Sequence, residues 1–418
     1  MELHNARKKH VNPDSIYDFY KERFFTNIFG FYIILKKPYI LYLIHKCFFV
    51  CAAFLYIFGV SSGIYTMVFI AKNKSEQVNA FYGMGLMGVA IGLQLTKNAT
   101  NDSLNSALDH IREGVYQYNE VFQDEIVKLK LKRIERIKFI ITFVGNGNYF
   151  CWFSSTLIPL IQVILSGFES IKDEDLNPFL PVHLYVPFDT TNTMGYAIAF
   201  VSYAFIIFTM YATFASHAQI YISCSLQLAM ELEVLNFALK NMQKRAYLRF
   251  KKEDYKLDHP STSNLYENPD FQHCINLCLR ENLLHHHAIL RYRDTVTPYV
   301  QTTVAFVLFF FSCLMAAGIL MILENSRPQF TLLTDIFGFF PLCWVGQEVM
   351  NESGETKNAL FDTPWPDFNE DTKALLKTFM TNVQKPIILR ARALDIKLCL
   401  ETFGDMVTLG YKITNLMR

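Results

Sequence analysis

The chain has 418 residues, 51% of them apolar and 15% aromatic, with 18% charged and a formal net charge of +1. Soluble domains carry about 25% charged residues, so the composition excludes a cytosolic enzyme. With 38 Phe, 22 Tyr and only 14 Pro, disordered, collagenous and disulfide-scaffold chains are excluded as well, which leaves a membrane protein.

The first 38 residues contain Arg7, Lys8, Lys9, Lys21, Arg23, Lys36 and Lys37 and lack the short apolar core of a cleavable signal. The first span is therefore expected to direct insertion itself. A bilayer needs about 20 mostly apolar residues per helix, and seven stretches qualify, at about 39–71, 78–97, 137–166, 194–224, 296–323, 329–350 and 393–417. The expected fold class is all-α: a polytopic membrane protein of seven helices. Its nine cysteines lie in or beside apolar or helical stretches and give no disulfide framework. Cys274 and Cys278, four apart, read as one helix face and not as a zinc pair.

Thirty-two of the 39 Lys and Arg fall in four segments: the N-terminus to residue 38, and residues 97–138, 240–293 and 351–397. The opposite loops carry only Lys72, Lys74, Lys172 and Arg327. By the positive-inside rule the four rich segments, and the N-terminus with them, are cytoplasmic. That topology is inverse to G-protein-coupled receptors, whose acidic-Arg-aromatic and Asn-Pro-x-x-Tyr signatures are also missing. Inverted hydrolases like the adiponectin receptors need intramembrane histidines for zinc, and the last histidine here is His287.

The expected organisation is a cytoplasmic segment at 1–38, a six-helix transmembrane domain at 39–350, a cytosolic loop and anchor helix at 351–392, and a last helix at 393–418. Residues 220–246 and 271–293 continue the fourth and fifth spans as amphipathic helices into a cytosolic bundle, separated by a polar loop near 247–270. After the sixth span a helix of roughly 16 residues starts at an Asn369 cap, with Leu375, Leu376, Phe379, Met380 and Val383 on one face. His285, His286 and His287 read as a solvated or bundle-packed face. Asn73 opens a formal glycosylation acceptor, and Asp335 is an intramembrane carboxylate and so a functional candidate by default.

The last helix is polar for a lipid-facing segment. Lys397, Glu401, Asp405, Thr408, Lys412 and Asn415 fall on one stripe of a 3.6-residue helix. Charges in a bilayer cost a few kcal/mol unless they pair or face water. The stripe therefore either pairs internally at i, i+4 or lines an aqueous path between subunits.

Three passages carry a resemblance: the ending FGDMVTLGYKITNLMR, the loop LPVHLYVPFD before the fourth span, and LCWVGQEVMNESGETKNALFDTPWP with MTNVQKP after the sixth. In order and spacing they resemble the signatures of the insect odorant receptor family, over nearly all of the chain. The resemblance implies a plasma-membrane subunit of a tetrameric cation channel in the dendrites of olfactory sensory neurons. In that family the last helix forms the pore, and the outer halves of the second, third, fourth and sixth spans enclose an odorant.

The short polar loop and the ending LGYKITNLMR resemble a divergent, ligand-tuning subunit, the co-receptor having a longer loop and a more apolar last segment. Gustatory receptors share the architecture but usually end in Thr-Tyr-hydrophobic-hydrophobic-Gln, from which Gly410, Tyr411, Lys412 and Ile413 depart. The partners implied are a small volatile odorant, the co-receptor, membrane lipid and permeant cations, with no nucleic acid and no cofactor. The remaining alternatives are a gustatory-type channel and an inverted seven-span enzyme or metabotropic receptor. No phosphate-binding loop, metal cluster or nucleophile elbow supports an enzyme.

On this topology the outer helix ends present Phe81, Tyr82 and Gly85; Tyr149, Trp152 and Thr156; Met194, Ala197 and Phe200; and Leu333, Phe337 and Phe340. A pocket so lined is apolar with a few hydroxyls and suits a neutral volatile. In the last helix, Ile413, Thr414 and Met417 stand where the resemblance puts the gate and its neighbours, and Asp405, Thr408 and Lys412 continue the polar stripe.

Overall fold

A computed structural model of the chain describes residues 39–118, 123–167, 176–177, 179–252, 265–323, 330–391 and 395–417. Ten α-helices run through the described residues. They are α1 (Tyr39–Tyr65), continued by a π-helical turn over Thr66–Ile70, α2 (Lys74–Ala99), α3 (Asn101–Glu113), α4 (Gln123–Ser166), α5 (Thr193–Lys240), α6 (Met242–Lys252), α7 (Pro269–Leu323), α8 (Phe330–Phe361), α9 (Glu370–Asn382) and α10 (Leu400–Met417). Strands β1 (Arg390–Ala391) and β2 (Ile396–Lys397) form a two-residue antiparallel ladder before α10.

Helix starts follow local chemistry. Asn73 caps α2 by accepting from the Glu76 N–H at 2.9 Å, while the Glu76 carboxylate accepts from Lys72 N–H and from the Asn73 amide, both at 2.7 Å. The Asn73 amide group is thus engaged as a cap. Asn192 caps α5 through Gly195 N–H, and Asn369 caps α9 through Thr372 N–H, as its sequence predicts. The predicted apolar face of α9 is turned inward: Leu376, Phe379 and Val383 are buried, with Leu375 and Met380 packed against the same core.

Five helices among the described residues are long and apolar enough to cross a membrane, over Lys46–Ile70, Lys74–Ala99, Gln123–Ser166, Thr193–Lys240 and Pro269–Met321. They coincide with the first five predicted spans. The sixth corresponds to α8, and the seventh to α10, whose 18 residues reach about 27 Å at 1.5 Å per residue. Hydroxyls within the spans are returned to their own helix, as in Ser61 to Ile57 O, Thr96 to Gly92 O and Thr213 to Thr209 O, at 2.8–2.9 Å, which hides them from lipid.

The helices pack around two hydrophobic cores. An outer core joins α1, α2, the outer half of α5, the outer end of α7 and the loop at 179–186. A larger inner core joins α3, the rest of α5, α6, most of α7, α8, α9 and the face of α10. Helix α5 belongs to both. Its outer half leaves Met194, Ile198, Val201 and Phe205 exposed to the bilayer, but from Thr209 to Leu232 every residue except the half-buried Phe214 is buried. The cytosolic extensions of α5 and α7 therefore run through a packed bundle.

The sequence places the start of the last helix at 393, whereas the structure starts it at Leu400. Asp395 takes a left-handed backbone (φ 47°), which closes the hairpin that pairs Arg390 with Lys397. Lys397 consequently lies on β2 and not on the helical stripe, and the Leu398 N–H donates to Leu389 O at 2.9 Å.

Candidate functional site: two cavities behind a polar helix

An outer cavity of about 150 Å³ opens between α2, α4, α5 and the outer end of α7. Its walls include Tyr82, Met87, Ser154, Ser155, Ile158, Ile207, Met210, Tyr211 and Met321, and Pro181, Val182 and His183 cover it. The covering loop is fastened to the helices. Ser62 Oγ donates to Tyr185 O (2.6 Å), Tyr185 N–H donates to Thr66 Oγ1 (2.8 Å), and Tyr196 Oη donates to Phe179 O (3.2 Å). Leu180 and Leu184 are buried beneath it.

The end of this loop turns into α5 through Asp189, whose carboxylate accepts from Thr191 N–H, Thr191 Oγ1 and Asn192 Nδ2. The Thr191 and Asn192 bonds hold that carboxyl below the usual range. Gly195 is required here, because a Cβ at that position would lie 2.0 Å from the Asp189 carbonyl oxygen. The passage LPVHLYVPFD, read in sequence as a signature only, is thus the lid of the cavity and the turn that sets it. A cavity of about 150 Å³ with an apolar lining is large enough for a benzene-sized molecule.

An inner cavity of about 70 Å³ lies where the two cores meet, lined by Leu86, Val89 and Leu93 of α2, Asn148 of α4, Phe214, His217 and Ala218 of α5, Thr303, Val307, Phe311 and Leu314 of α7, and Gly338, Phe339 and Leu342 of α8. Leu86 lines both cavities. His217 meets the Tyr299 hydroxyl at 3.1 Å, with the two rings stacked at 6.2 Å.

Of the residues that the sequence places around a ligand, Tyr82 lines the outer cavity. Its neighbour Phe81 is packed against the outer core, and Gly85 lets Leu314 approach, since a Cβ there would lie 2.8 Å from its Cδ2. Tyr149 is half-buried. Trp152 packs edge-on against Phe208 at 5.0 Å, its indole N–H without a hydrogen-bond partner, and Thr156 Oγ1 donates to Trp152 O. Met194 and Ala197 are exposed on α5, and Phe200 is half-buried on Tyr196 at 5.8 Å. Phe340 packs edge-on against Phe403 at 5.4 Å. The side chains of Leu333, Asp335 and Phe337 lie outside the described residues.

Of the cavity-facing residues that sequence reasoning missed, Ser154 and Ser155 lie between Trp152 and Thr156 on α4, and Met210 and Tyr211 sit deeper along α5 than Phe200. The sequence signal for Ser154 and Ser155 is small polar residues within an apolar run, and Met210 and Tyr211 carry none.

Helix α10 is two-faced. Phe403, Met406 and Val407 pack on the inner core, and Gly410 lies so close to α7 that a Cβ would be 3.0 Å from Met315 Cβ. Thr414 Oγ1 donates to Ala316 O at 3.2 Å, and Ser312 Oγ donates to Met406 Sδ at 3.1 Å. Thr414 therefore belongs to the packing face. Asp405, Thr408 and Lys412 are exposed on the other side with Glu401 and Asn415, Ile413 is half-buried, and the Met417 side chain is outside the described residues. No ion pair joins the exposed charges among the described residues, so internal pairing, one of the two readings of the stripe, has no contact to support it. The packing face leads directly back to the inner cavity: Phe403 lies 6.5 Å from Phe311 and 5.9 Å from Phe339, both of them cavity walls.

In the cytosolic bundle Glu231 is fully buried between Lys130 (3.0 Å) and His285 (3.1 Å), with Gln227 Nε2 also at 3.1 Å. His285 Nδ1 meets the Tyr118 hydroxyl at 2.9 Å, and the His285 ring stacks on Tyr116. His286 packs against Phe379 of α9, and His287 is exposed. Among the described residues no group of His, Cys, Asp and Glu is placed to hold a metal.

The family model described as 7tm Odorant receptor matches residues 97–411. Odorant receptor Or2 of Anopheles gambiae is 23% identical over 149 residues, which is 34% of this chain and 38% of that protein. Odorant receptor 22a of Drosophila melanogaster is 23% identical over 147 residues, or 34% and 36%. The chain thus matches little more than a third of the length of these curated relatives. The insect olfactory receptor OR5 from Machilis hrabei, solved alone and in complex with eugenol, superposes with a TM-score of 0.69 at 14% identity, covering 91% of this chain and 90% of that one. That likeness is one of fold, and the family match over most of the sequence gives the assignment: the chain belongs to the 7tm odorant receptor family.

Proposed function

We propose that the chain is the ligand-tuning subunit of a ligand-gated, non-selective cation channel in the plasma membrane, with its N-terminus in the cytoplasm and a co-receptor completing a heterotetramer. The observation that carries this reading is the two-faced α10. Its exposed stripe of Asp405, Thr408 and Lys412 is unsuited to lipid, and its buried face rests on the aromatic wall of a cavity. A molecule that enters between the spans presses on Phe311 and Phe339, which Phe403 transmits to the polar helix. Differential affinity for the two positions of that helix is what opens the path. Lys412 on the stripe repels cations, so the co-receptor supplies most of the lining.

The cavities are apolar, with few hydroxyls and no charged lining residue, which selects a small neutral volatile. Eugenol, with which the Machilis receptor was solved, is one compound to test. The reading is checked by co-expression with the co-receptor and recording from excised patches without nucleotide or G protein. Ligand-evoked current is expected to persist. Cysteines at 405, 408 and 412 are expected to react with a water-soluble thiol reagent and change the current, whereas cysteines at 410 and 414 stay silent. Current that disappears on excision would assign the chain to a metabotropic mechanism, and silence along the whole helix would leave the pore to other subunits.

A further inference from the structure

Thr303 stands apart from the hydroxyls around it. It is 2% exposed and lines the inner cavity, yet its Oγ1 has no hydrogen-bond partner. Its neighbours on α7 return theirs to the helix, Thr297 to Arg293 O at 2.7 Å and Thr302 to Pro298 O at 2.8 Å. A buried hydroxyl left unmade costs free energy that an arriving partner recovers. Asn148, 2% exposed on the opposite wall, donates its Nδ2 to Val144 O at 2.9 Å. Asn148 is thus a second polar residue in the cavity lining.

The other α7 residues in the lining, Val307, Phe311 and Leu314, are apolar, His217 of the lining is engaged with the Tyr299 hydroxyl, and no Asp, Glu, Lys or Arg lines the cavity. At about 70 Å³ the inner cavity holds an end group of a few atoms, while the outer cavity, at about 150 Å³, takes the body of a small molecule. Leu86 forms a wall of both, so the two cavities adjoin.

Building on ligand binding between the spans as read above, we propose that the inner cavity is a recess for a neutral oxygen-bearing end group. The Thr303 hydroxyl on the fifth helix crossing the membrane binds it, so that the chain selects oxygenated volatiles over hydrocarbons of the same length. A hydroxyl both donates and accepts. Thr303 donates to a carbonyl, or accepts from an alcohol. A hydrocarbon entering the recess leaves the Thr303 hydroxyl unpaired, and a charged group meets no counter-ion.

The test uses the full chain with its co-receptor and a series of straight-chain alkanes, primary alcohols and methyl ketones of equal length. Binding is read from ligand-dependent thermal stabilisation of the purified complex, and gating from evoked current. The unmodified complex is expected to be stabilised by alcohols and ketones at lower concentration than by the matching alkanes. Thr303→Val keeps the shape and removes the hydroxyl, and should weaken the oxygenated ligands by roughly three- to tenfold, the size of one hydrogen bond, without moving the alkanes. Thr303→Ser, which retains the hydroxyl, should keep the preference and controls for folding.

Equal loss for alkanes and alcohols in Thr303→Val, or no preference in the unmodified complex, overturns the recess. If the preference and its loss appear in thermal stabilisation while no ligand evokes current, the recess stands and the channel reading fails.

Discussion

In the cytosolic bundle Glu231 is fully buried yet meets Lys130, His285 and Gln227 within about 3 Å, whereas in the membrane half Thr303 is buried almost as deeply and its hydroxyl has no partner. In the same bundle Arg245 reaches Glu281 at 2.7 Å and Asn282 at 2.7 Å, and its guanidinium lies 4.6 Å over the Tyr118 ring. Arg133 joins α4 to α5 and α8 through Glu233 and Glu348, both at 3.1 Å. Around Thr303 the helices leave a cavity instead. One end of the molecule packs its buried charges into ion pairs, and the other leaves a cavity beside a buried hydroxyl without a partner.

The largest effect is expected at Glu231. Replacing it with Ala leaves Lys130 and His285 without their carboxylate in a desolvated site, which should cost about 3–5 kcal/mol. Thermal unfolding of the purified protein and its surface level are the readouts. An unchanged melting temperature would show that the network is not holding the bundle.

A middle-sized effect separates the two faces of α5. Met210 lines the outer cavity and Met194 is 72% exposed on the other side of the helix. Met210→Phe fills part of the cavity and is expected to raise the ligand concentration for half response by about tenfold, which is about 1.4 kcal/mol, without loss of folded protein. Met194→Phe should be silent. Dose–response curves for the two variants that shift together would place the ligand elsewhere.

The smallest effect is a pH dependence of the bundle. Burial lowers the pKa of His285, with Lys130 and Arg245 adding to it and Glu231 opposing. Burial, reinforced by His287, His285 and Arg293, pushes His286 down to about 4. Both are neutral when folded, while in the unfolded chain they titrate near the ordinary 6.5. Below that pH the unfolded state binds more protons, so stability falls as the pH drops through about 6.5. Melting curves between about pH 8 and 5 measure the slope, which His286→Leu should reduce. A flat profile would mean that these imidazoles titrate in the folded bundle as they do in the unfolded chain.

Much of this was legible in advance. The Asn369 cap and the apolar face of α9 follow from i, i+3, i+4 spacing beside polar residues, and the structure reproduces them. The extensions of α5 and α7 were readable as helices, but not the depth of their burial. Ser216, Gln219, Ser223, Ser225 and Gln227 are polar residues that only a surrounding bundle can keep dry. Lys397 was placed on the last helix because its spacing fits a turn, and the hairpin closed by Asp395 removes it.

What the sequence by itself determined is the medium and the periodicity: spans long and apolar enough for lipid, the Asn369 cap, and one helix whose polar stripe cannot face hydrocarbon. What only the tertiary structure decided is the rotation of each span about its own axis. In water, an amphipathic helix announces its buried face by its polar one. In lipid both faces of α5 are apolar, so Met194 and Met210 look alike in sequence, and only packing against α2, α4 and α7 sends one to the bilayer and the other to the cavity. The same holds for Thr303, whose isolation depends on which neighbours its turn of α7 meets.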